Sequence, residues 1–405
     1  MTDNFLAKKI KTCYPQALAK LIFRYQDVML AEDLLHEAIT KALVHWRKNM
    51  PSNGVAWLIK VAKNQFIDQQ RKLSRFSGID AISEPSYQCD LSEQALLASY
   101  KDDLLRLIFT CCHPALNMQT QITLTLKHVL GLSVLDISNA LVQKEKTIEQ
   151  RLTRAKRKIS QAKILYQIPS EQEWPVRIDA VLKVIYLYFN EGYFTSQREK
   201  LVDAWVCKSA IRLVRMLHEC VRENAEVIGL LALLLHLSAR FPARINENNQ
   251  LVVLEEQNRS LWQKTEINEA NVLVEKALLI GGGTPYAIQA AIAALHNNAT
   301  SFDATDWQQI YALYLKLLVL QDNPVIELNA EVARAKFTSN ATAILRIENL
   351  QPKLKHYRHY HTCLAGLYLQ ENEREKASFH YHNALKFSQN SVEVEFILQQ
   401  IERCR

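Results

Sequence analysis

Glycine and proline are scarce. The 405-residue chain holds 9 glycines and 10 prolines, where an average protein carries roughly 12% of the two together. With so few turn-formers, and with abundant Ala, Leu, Gln, Glu and Lys, the composition argues for an almost all-helical protein. Long apolar runs are missing as well. No stretch approaches 18 residues without a charge or a strong polar group, so no membrane-spanning helix and no membrane partner are expected. The N-terminal MTDNFLAKKIKTCY lacks the apolar core of a signal peptide. Eight cysteines are scattered at positions 13, 89, 111, 112, 207, 220, 363 and 404. That is no small disulfide scaffold, and reduced thiols in a cytoplasmic protein are the default. There is no P-loop, no Gly-rich dinucleotide turn, no nucleophile elbow and no HExxH, so neither an enzyme nor a cofactor is expected.

What is present is an uneven charge. The formal net charge is +7. Residues 41–75 carry eight Lys or Arg against Asp68, a net of +7. Residues 144–163 carry eight against Glu145 and Glu149, a net of +6, which leaves −6 for all the rest. Two short basic segments on an otherwise acidic chain suggest a polyanion touched twice. The bland alternative is a pair of solvated helix faces.

The length favours two or three domains. Helical periodicity runs through residues 10–73. The stretch 74–97, with Ser, Gly78 and Pro85, has no clear period and reads as a linker. Helix returns at 100–163. YQIPSEQEWP (166–175) marks a second boundary, and 176–402 is again helical. The exception is ARINENNQLVVL (243–254), which reads as a small β-hairpin. Arg240, Arg244, Glu255, Glu256 and Arg259 cluster around it, as a structural ion-pair cluster or a polar pocket. Near the C-terminus, Ala365, Tyr368, Ala377, Tyr381 and Ala384 have the small–aromatic spacing of a tetratricopeptide hairpin. Residues 269–283 read as part of a second, degenerate copy.

Two segments carry chemistry. In 131–160, a short helix and the polar break VQKE precede a longer helix with a buried stripe of Ile148, Leu152, Ala155 and Ile159. Lys146, Gln150, Thr153, Arg154 and Arg157 point the other way, with Thr147 and Arg151 flanking them. This is a helix-turn-helix pattern, and its outer face has the donors that read bases and neutralise phosphates in a major groove. In 28–46, Ala31, Leu34, Leu35, Ala38, Ala42 and Leu43 form an apolar side opposite Glu32, Asp33, His36 and Glu37. A basic loop and a helix with Trp57, Asn64, Asp68 and Arg71 follow, polar enough to hold an unstacked base. Trp57 reads more readily as a core anchor than as a base stacker.

LAEDLLHEAITKAL with WLIKVAKNQFIDQQRK resembles region 2 of an extracytoplasmic-function sigma factor. GLSVLDISNALVQKEKTIEQRLTRAKRKIS resembles region 4. The phrases LIFTCCHPAL, IYLYFNEGY, VLEEQNRSLW and NPVIELNAEVA are similar to a subgroup with a C-terminal tetratricopeptide-like extension. The resemblance implies an all-α protein with region 2 at 1–75, a linker at 76–97, region 4 at 98–165 and the extension at 176–405. Its implied partners are core RNA polymerase and promoter DNA, with a protein or small-molecule regulator at the extension. The core-polymerase surface would comprise Glu32, Asp33, Leu34, His36 and Glu37, with His36 where the family commonly has Gln. The −10 contacts would come from Arg47, Lys48, Asn49, Ser52, Asn53, Trp57, Lys60 and Asn64. The −35 contacts would come from Lys146, Thr147, Glu149, Gln150, Arg151, Thr153, Arg154 and Arg157, with Glu149 replacing a frequent basic residue. The alternative is a free-standing helix-turn-helix regulator with a partner-binding helical domain. Cys111 and Cys112, adjacent and without a second pair nearby, are poor zinc ligands. They are expected to pack as small buried residues rather than to form a redox pair, and no metal site is expected.

Overall fold

The computed structural model describes residues 3–77, 106–129, 131–141, 143–162, 164, 173–194, 202–248, 250–388 and 390–405. The linkers expected at 76–97 and 166–175 lie largely outside them. Among the described residues the regular structure is helical, and the chain divides into two compact units, 1–184 and 185–405.

The first unit opens with three mutually packed helices: α1 (Asp3–Tyr25), α2 (Val28–His45) and α3 (Gly54–Ser77). Asp27 starts α2 by accepting the amides of Met29 and Leu30, which satisfies two otherwise orphaned donors. Ala31, Leu34, Leu35, Ala38 and Ala42 are buried, whereas Leu43 is exposed because the apolar stripe is narrower than its sequence pattern. Each fully buried Leu contributes about 1.5–3 kcal/mol relative to an exposed one. Trp46 is fully buried, and Gly54 lets the 47–53 loop close down on it. A Cβ at Gly54 would meet the Trp46 ring at 2.9 Å.

After a helical stretch at 106–111 (α4) come α5 (Met118–Leu124), a π-helical turn (Thr125–Val129), α6 (Val134–Ala140) and α7 (Glu145–Gln161). Asn117 caps α5 through its side chain. Ile148, Leu152, Ala155 and Ile159 of α7 are buried, against α5 and α6. Cys111 and Cys112 are buried too. Burial pushes the Cys111 thiol well above its ordinary value and that of Cys112 up to about 12. A thiol held so far from its thiolate packs rather than reacts.

The second unit continues from α8 (Trp174–Tyr193), within which the division falls. It contains α9 (Ala204–Cys220), α10 (Ala225–Ser238), α11 (Lys264–Gly281), α12 (Pro285–Asn298), α13 (Trp307–Leu320) and α14 (Pro324–Ala335). Then follow α15 (Asn340–Glu348), α16 (Gln351–Leu354), α17 (Arg358–Gln370), α18 (Arg374–Lys386) and α19 (Ser391–Arg403). Most helices pack on the next one along the chain, as in a helical array. Ala365, Tyr368, Ala377, Tyr381 and Ala384 are all buried where α17 meets α18.

Two expectations need correction. The 243–254 segment is not a β-hairpin. The 3-10 turns Phe241–Ala243 and Leu254–Glu256 occupy its ends, and the Asn246 side chain accepts the amides of Asn248 and Gln250 in the middle. Room remains for a single antiparallel bridge, Ile245 to Leu251. Among the described residues, the surrounding arginines form no ion-pair cluster with Glu255 and Glu256. Both carboxylates are exposed, and Glu255 pairs instead with Lys336 at 3.9 Å. Ala225–Ala243, which contains Glu226 and Arg240, is by length and composition alone apolar enough to cross a membrane, with mean hydropathy 1.4. Its window is 78% buried inside the fold, because α10 packs against α9, α11 and α12.

Gly229 makes that packing close. A Cβ there would lie 2.5 Å from the Ala287 amide nitrogen, at the start of α12. Gly229→Ala is expected to destabilise the second unit by about 1–3 kcal/mol through overpacking, read as a lower urea midpoint of its unfolding transition.

Candidate nucleic-acid interface

Helix α7 sits on α5 and α6 through its apolar stripe, and this fixes what faces outward. Lys146, Thr147, Glu149, Gln150, Thr153, Arg154 and Arg157 are all exposed. The Thr153 hydroxyl donates to the Glu149 carbonyl at 2.9 Å, so its side chain is held against its own helix. Arg151 differs from the rest. It is half-buried, and its guanidinium donates to Thr123 Oγ1 at 3.2 Å and to Gln119 Oε1 at 3.1 Å. In this arrangement it ties α7 to α5. A polar cleft of about 380 Å³ lies between these two helices, lined by Gln119 and Thr120 on one side and by Thr147, Gln150 and Arg154 on the other.

The 47–64 segment presents a second polar surface. Arg47, Lys48, Asn49, Ser52, Asn53, Lys60 and Asn64 are exposed. Asn53 accepts the Ala56 amide at 3.0 Å and so helps to start α3. Trp57 is half-buried, stacked on His45 at 5.5 Å and edge-on to Trp46 at 5.6 Å. These ring contacts make it an anchor for the loop.

The acidic face of α2 is divided. Asp33, His36 and Glu37 are exposed, whereas Glu32 is only 3% exposed and Leu34 1%. Glu32 pairs with Lys156 of α7. Its other oxygen lies 3.4 Å from Nδ1 of His128, on the π-helical turn, and accepts from the Tyr14 hydroxyl at 3.4 Å. Burial by itself would raise the Glu32 pKa, but His128, Lys156 and His36 bring it below its ordinary value. Burial also lowers His128 to about 4, with Lys156, Lys127 and His36 adding to the shift and Glu32 opposing it. At neutral pH His128 is therefore uncharged, and Lys156 is the cation that balances Glu32. Pattern reading did not single out Lys156, His128 or Tyr14. Lys156 lies beside the buried stripe of α7, where a long stem can cross from the apolar side to the charged one.

Residues 10–76 match sigma-70 region 2. Residues 177–278 match a family of unknown function, DUF6596. The chain is 37% identical over 408 residues to Uncharacterized protein R00370 of Rhizobium meliloti (strain 1021), covering 99% of this chain and 96% of that protein. The chain belongs to the sigma-70 family, as a member with a C-terminal extension. It is also 32% identical over 94 residues to ECF RNA polymerase sigma factor SigM of Bacillus subtilis (strain 168), covering 21% of this chain and 56% of that protein. A solved structure, yeast Tom70, aligns over 95% of this chain and 82% of its own, with 15% identity and a TM-score of 0.39. In this sigma-70 family member, the Glu32 cluster lies between the helix of region 2 that begins at Val28 and α7.

Two outcomes follow from the cluster. Lys156→Met strands the Glu32 carboxylate and is expected to cost about 2–3 kcal/mol. That is less than the 3–5 of a fully buried pair, because the Lys156 side chain is 21% exposed. The Glu32→Gln/Lys156→Met double variant recovers most of the loss in thermal unfolding. The second outcome concerns acid. Unfolded, His128 takes up a proton near pH 6.5, but folded only near 4. Stability is thus whole above pH 6.5 and falls as the pH drops toward 4. Glu32, with its lowered pKa, adds a loss of the same sign below about pH 4.5. His128→Leu is expected to flatten the midpoint-versus-pH curve between pH 6.5 and 4.

Proposed function

We propose that the chain is a transcription-initiation subunit that binds core RNA polymerase and brings it to specific promoters. The observation that carries this is the match of residues 10–76 to sigma-70 region 2, in a compact unit that also presents the exposed face of α7. On this reading Asp33, His36 and Glu37 meet the polymerase, and Glu32 and Leu34 join them when α7 moves away. The basic 47–64 loop and helix hold the unpaired −10 strand. The α7 face reads the −35 element, with Arg154 and Gln150 at base edges and Lys146 and Arg157 on phosphates. The chain does no chemistry of its own and works in the cytoplasm. The C-terminal helical array regulates the first unit in response to a protein or small molecule.

The Glu32–Lys156 pair gives this reading a conformational consequence. A residue of the polymerase-facing helix and a residue of the DNA-reading helix satisfy one another. Loading onto polymerase would therefore break a contact that holds the first unit closed.

In vitro transcription with core polymerase tests the function. Arg154→Ala is expected to lower initiation at a cognate promoter by about 1–3 kcal/mol, or roughly 5- to 150-fold. Binding to core polymerase, read by co-elution, stays unchanged. Promoter-specific transcription that needs no added chain, or tight sequence-specific gel shift without polymerase, would favour the free-standing regulator.

A further inference from the structure

Among the described residues, a cationic cluster in the second unit has no carboxylate paired with it. Arg240 follows α10 and is only 7% exposed. Among the described residues its guanidinium has no hydrogen-bond acceptor and no acidic partner, and its Nε is orphaned. Arg259, in the 3-10 turn Arg259–Leu261, donates one Nη to the carbonyls of His296 and Ala299 at 2.6 and 2.8 Å. Its other Nη is buried and unpartnered. The Arg259 guanidinium sits 4.6 Å over the ring of Trp262, whose indole N–H is buried and orphaned as well.

The Gln263 amide donates to the Ala239 carbonyl at 2.9 Å, and Trp262 packs in one core cluster with Ala239 and Ala243, which sets the Arg259–Trp262 segment beside Arg240. Burial, and then Arg240, lowers the pKa of Arg259 and brings His236 to about 4. Burial, Arg240 and Arg259 bring His296 to about 3. Both imidazoles are therefore neutral at pH 7, and the cluster keeps two positive charges. The neighbouring Arg244 is engaged elsewhere, donating to the Tyr193 carbonyl at 2.8 Å and stacking over that ring. A buried cation is strongly disfavoured unless an anion accompanies it. Forked guanidinium donors suit the oxygens of a phosphate or a carboxylate.

We propose that Arg240 and Arg259, with the Trp262 indole N–H, form a binding site for a small oxyanion, either a phosphate or a carboxylate group. The site lies at the C-terminal ends of α10 and α12, so an anion there links two neighbouring helices of the array. It is the chemical entry through which a metabolite bearing such a group would act on the extension. The inference stands apart from the reading of residues 1–184, and its test measures binding rather than transcription.

The test uses the full chain in a chloride buffer, titrated with sodium phosphate or sodium acetate at matched ionic strength. Heat of binding and thermal midpoint are both read. At least one of the two anions is expected to bind and to raise the midpoint above the chloride control, and the better of them names the group. Arg240→Gln weakens that binding by about tenfold or more, as loss of a charge-assisted pair requires. Without the anion, Arg240→Gln unfolds no earlier than the wild type, because it removes an uncompensated buried charge. Arg259→Gln, which keeps Arg240, gives an independent loss of binding should the first variant fold poorly. No anion effect beyond chloride, or the same effect in both variants as in the wild type, would overturn the proposal.

Discussion

An ionised carboxylate cannot rest in a dry interior without a cation beside it, and the first unit is arranged around that constraint. Glu32 belongs to α2, Lys156 to α7, His128 to the π-helical turn and Tyr14 to α1. Elements far apart in sequence thus meet at one charge. The apolar contacts around it supply most of the adhesion, but they are indifferent to register. The pair makes one placement of α7 against α2 much better than its neighbours, because any shift leaves a charge buried alone. The same arithmetic makes the contact reversible. A charge pair that is excellent in one geometry is lost abruptly, and both partners gain water when it opens.

The second unit solves a different problem. Each helix there must cover an apolar face, and it does so with the next helix in the chain. Small residues set how near the helices come: Gly229 admits the start of α12, and Ala365, Ala377 and Ala384 let α17 and α18 touch. Such an array tolerates polar groups where helices end, since backbone carbonyls there need donors. Arg259 meets that need at the end of α12. Arg240, beside it, has a buried Nε with no partner among the described residues, and an unsatisfied buried donor calls for an explanation, which the proposed anion would supply.

Much of this was legible in the sequence. Scarce Gly and Pro meant helices, because helices need few turns. The stripe Ile148, Leu152, Ala155 and Ile159 repeats at the helical period, and that period assigned the buried face of α7 and therefore its exposed one. The tetratricopeptide spacing likewise marked five residues that are buried together between α17 and α18. In each case the partners lie within one helix or in its immediate successor, where spacing along the chain translates directly into spacing in space.

What the sequence could not decide was pairing at a distance. Glu32 lies on the polar side of its own helix, so periodicity placed it in solvent. Only the position of α7 buries it and supplies Lys156. Arg151 lies on the flank of the exposed face of α7, and its engagement with Gln119 and Thr123 depends on how α5 crosses α7. The hairpin expected at 243–254 shrank to one bridge because neighbouring 3-10 turns claimed its ends. Arg240 and Glu255 looked like partners along the chain, yet the fold turned the carboxylate outward and left the arginine inside. Local periodicity is set by the geometry of one helix, and the sequence by itself determined it. The fate of each charge is set by which surfaces meet, and only the tertiary structure decided that.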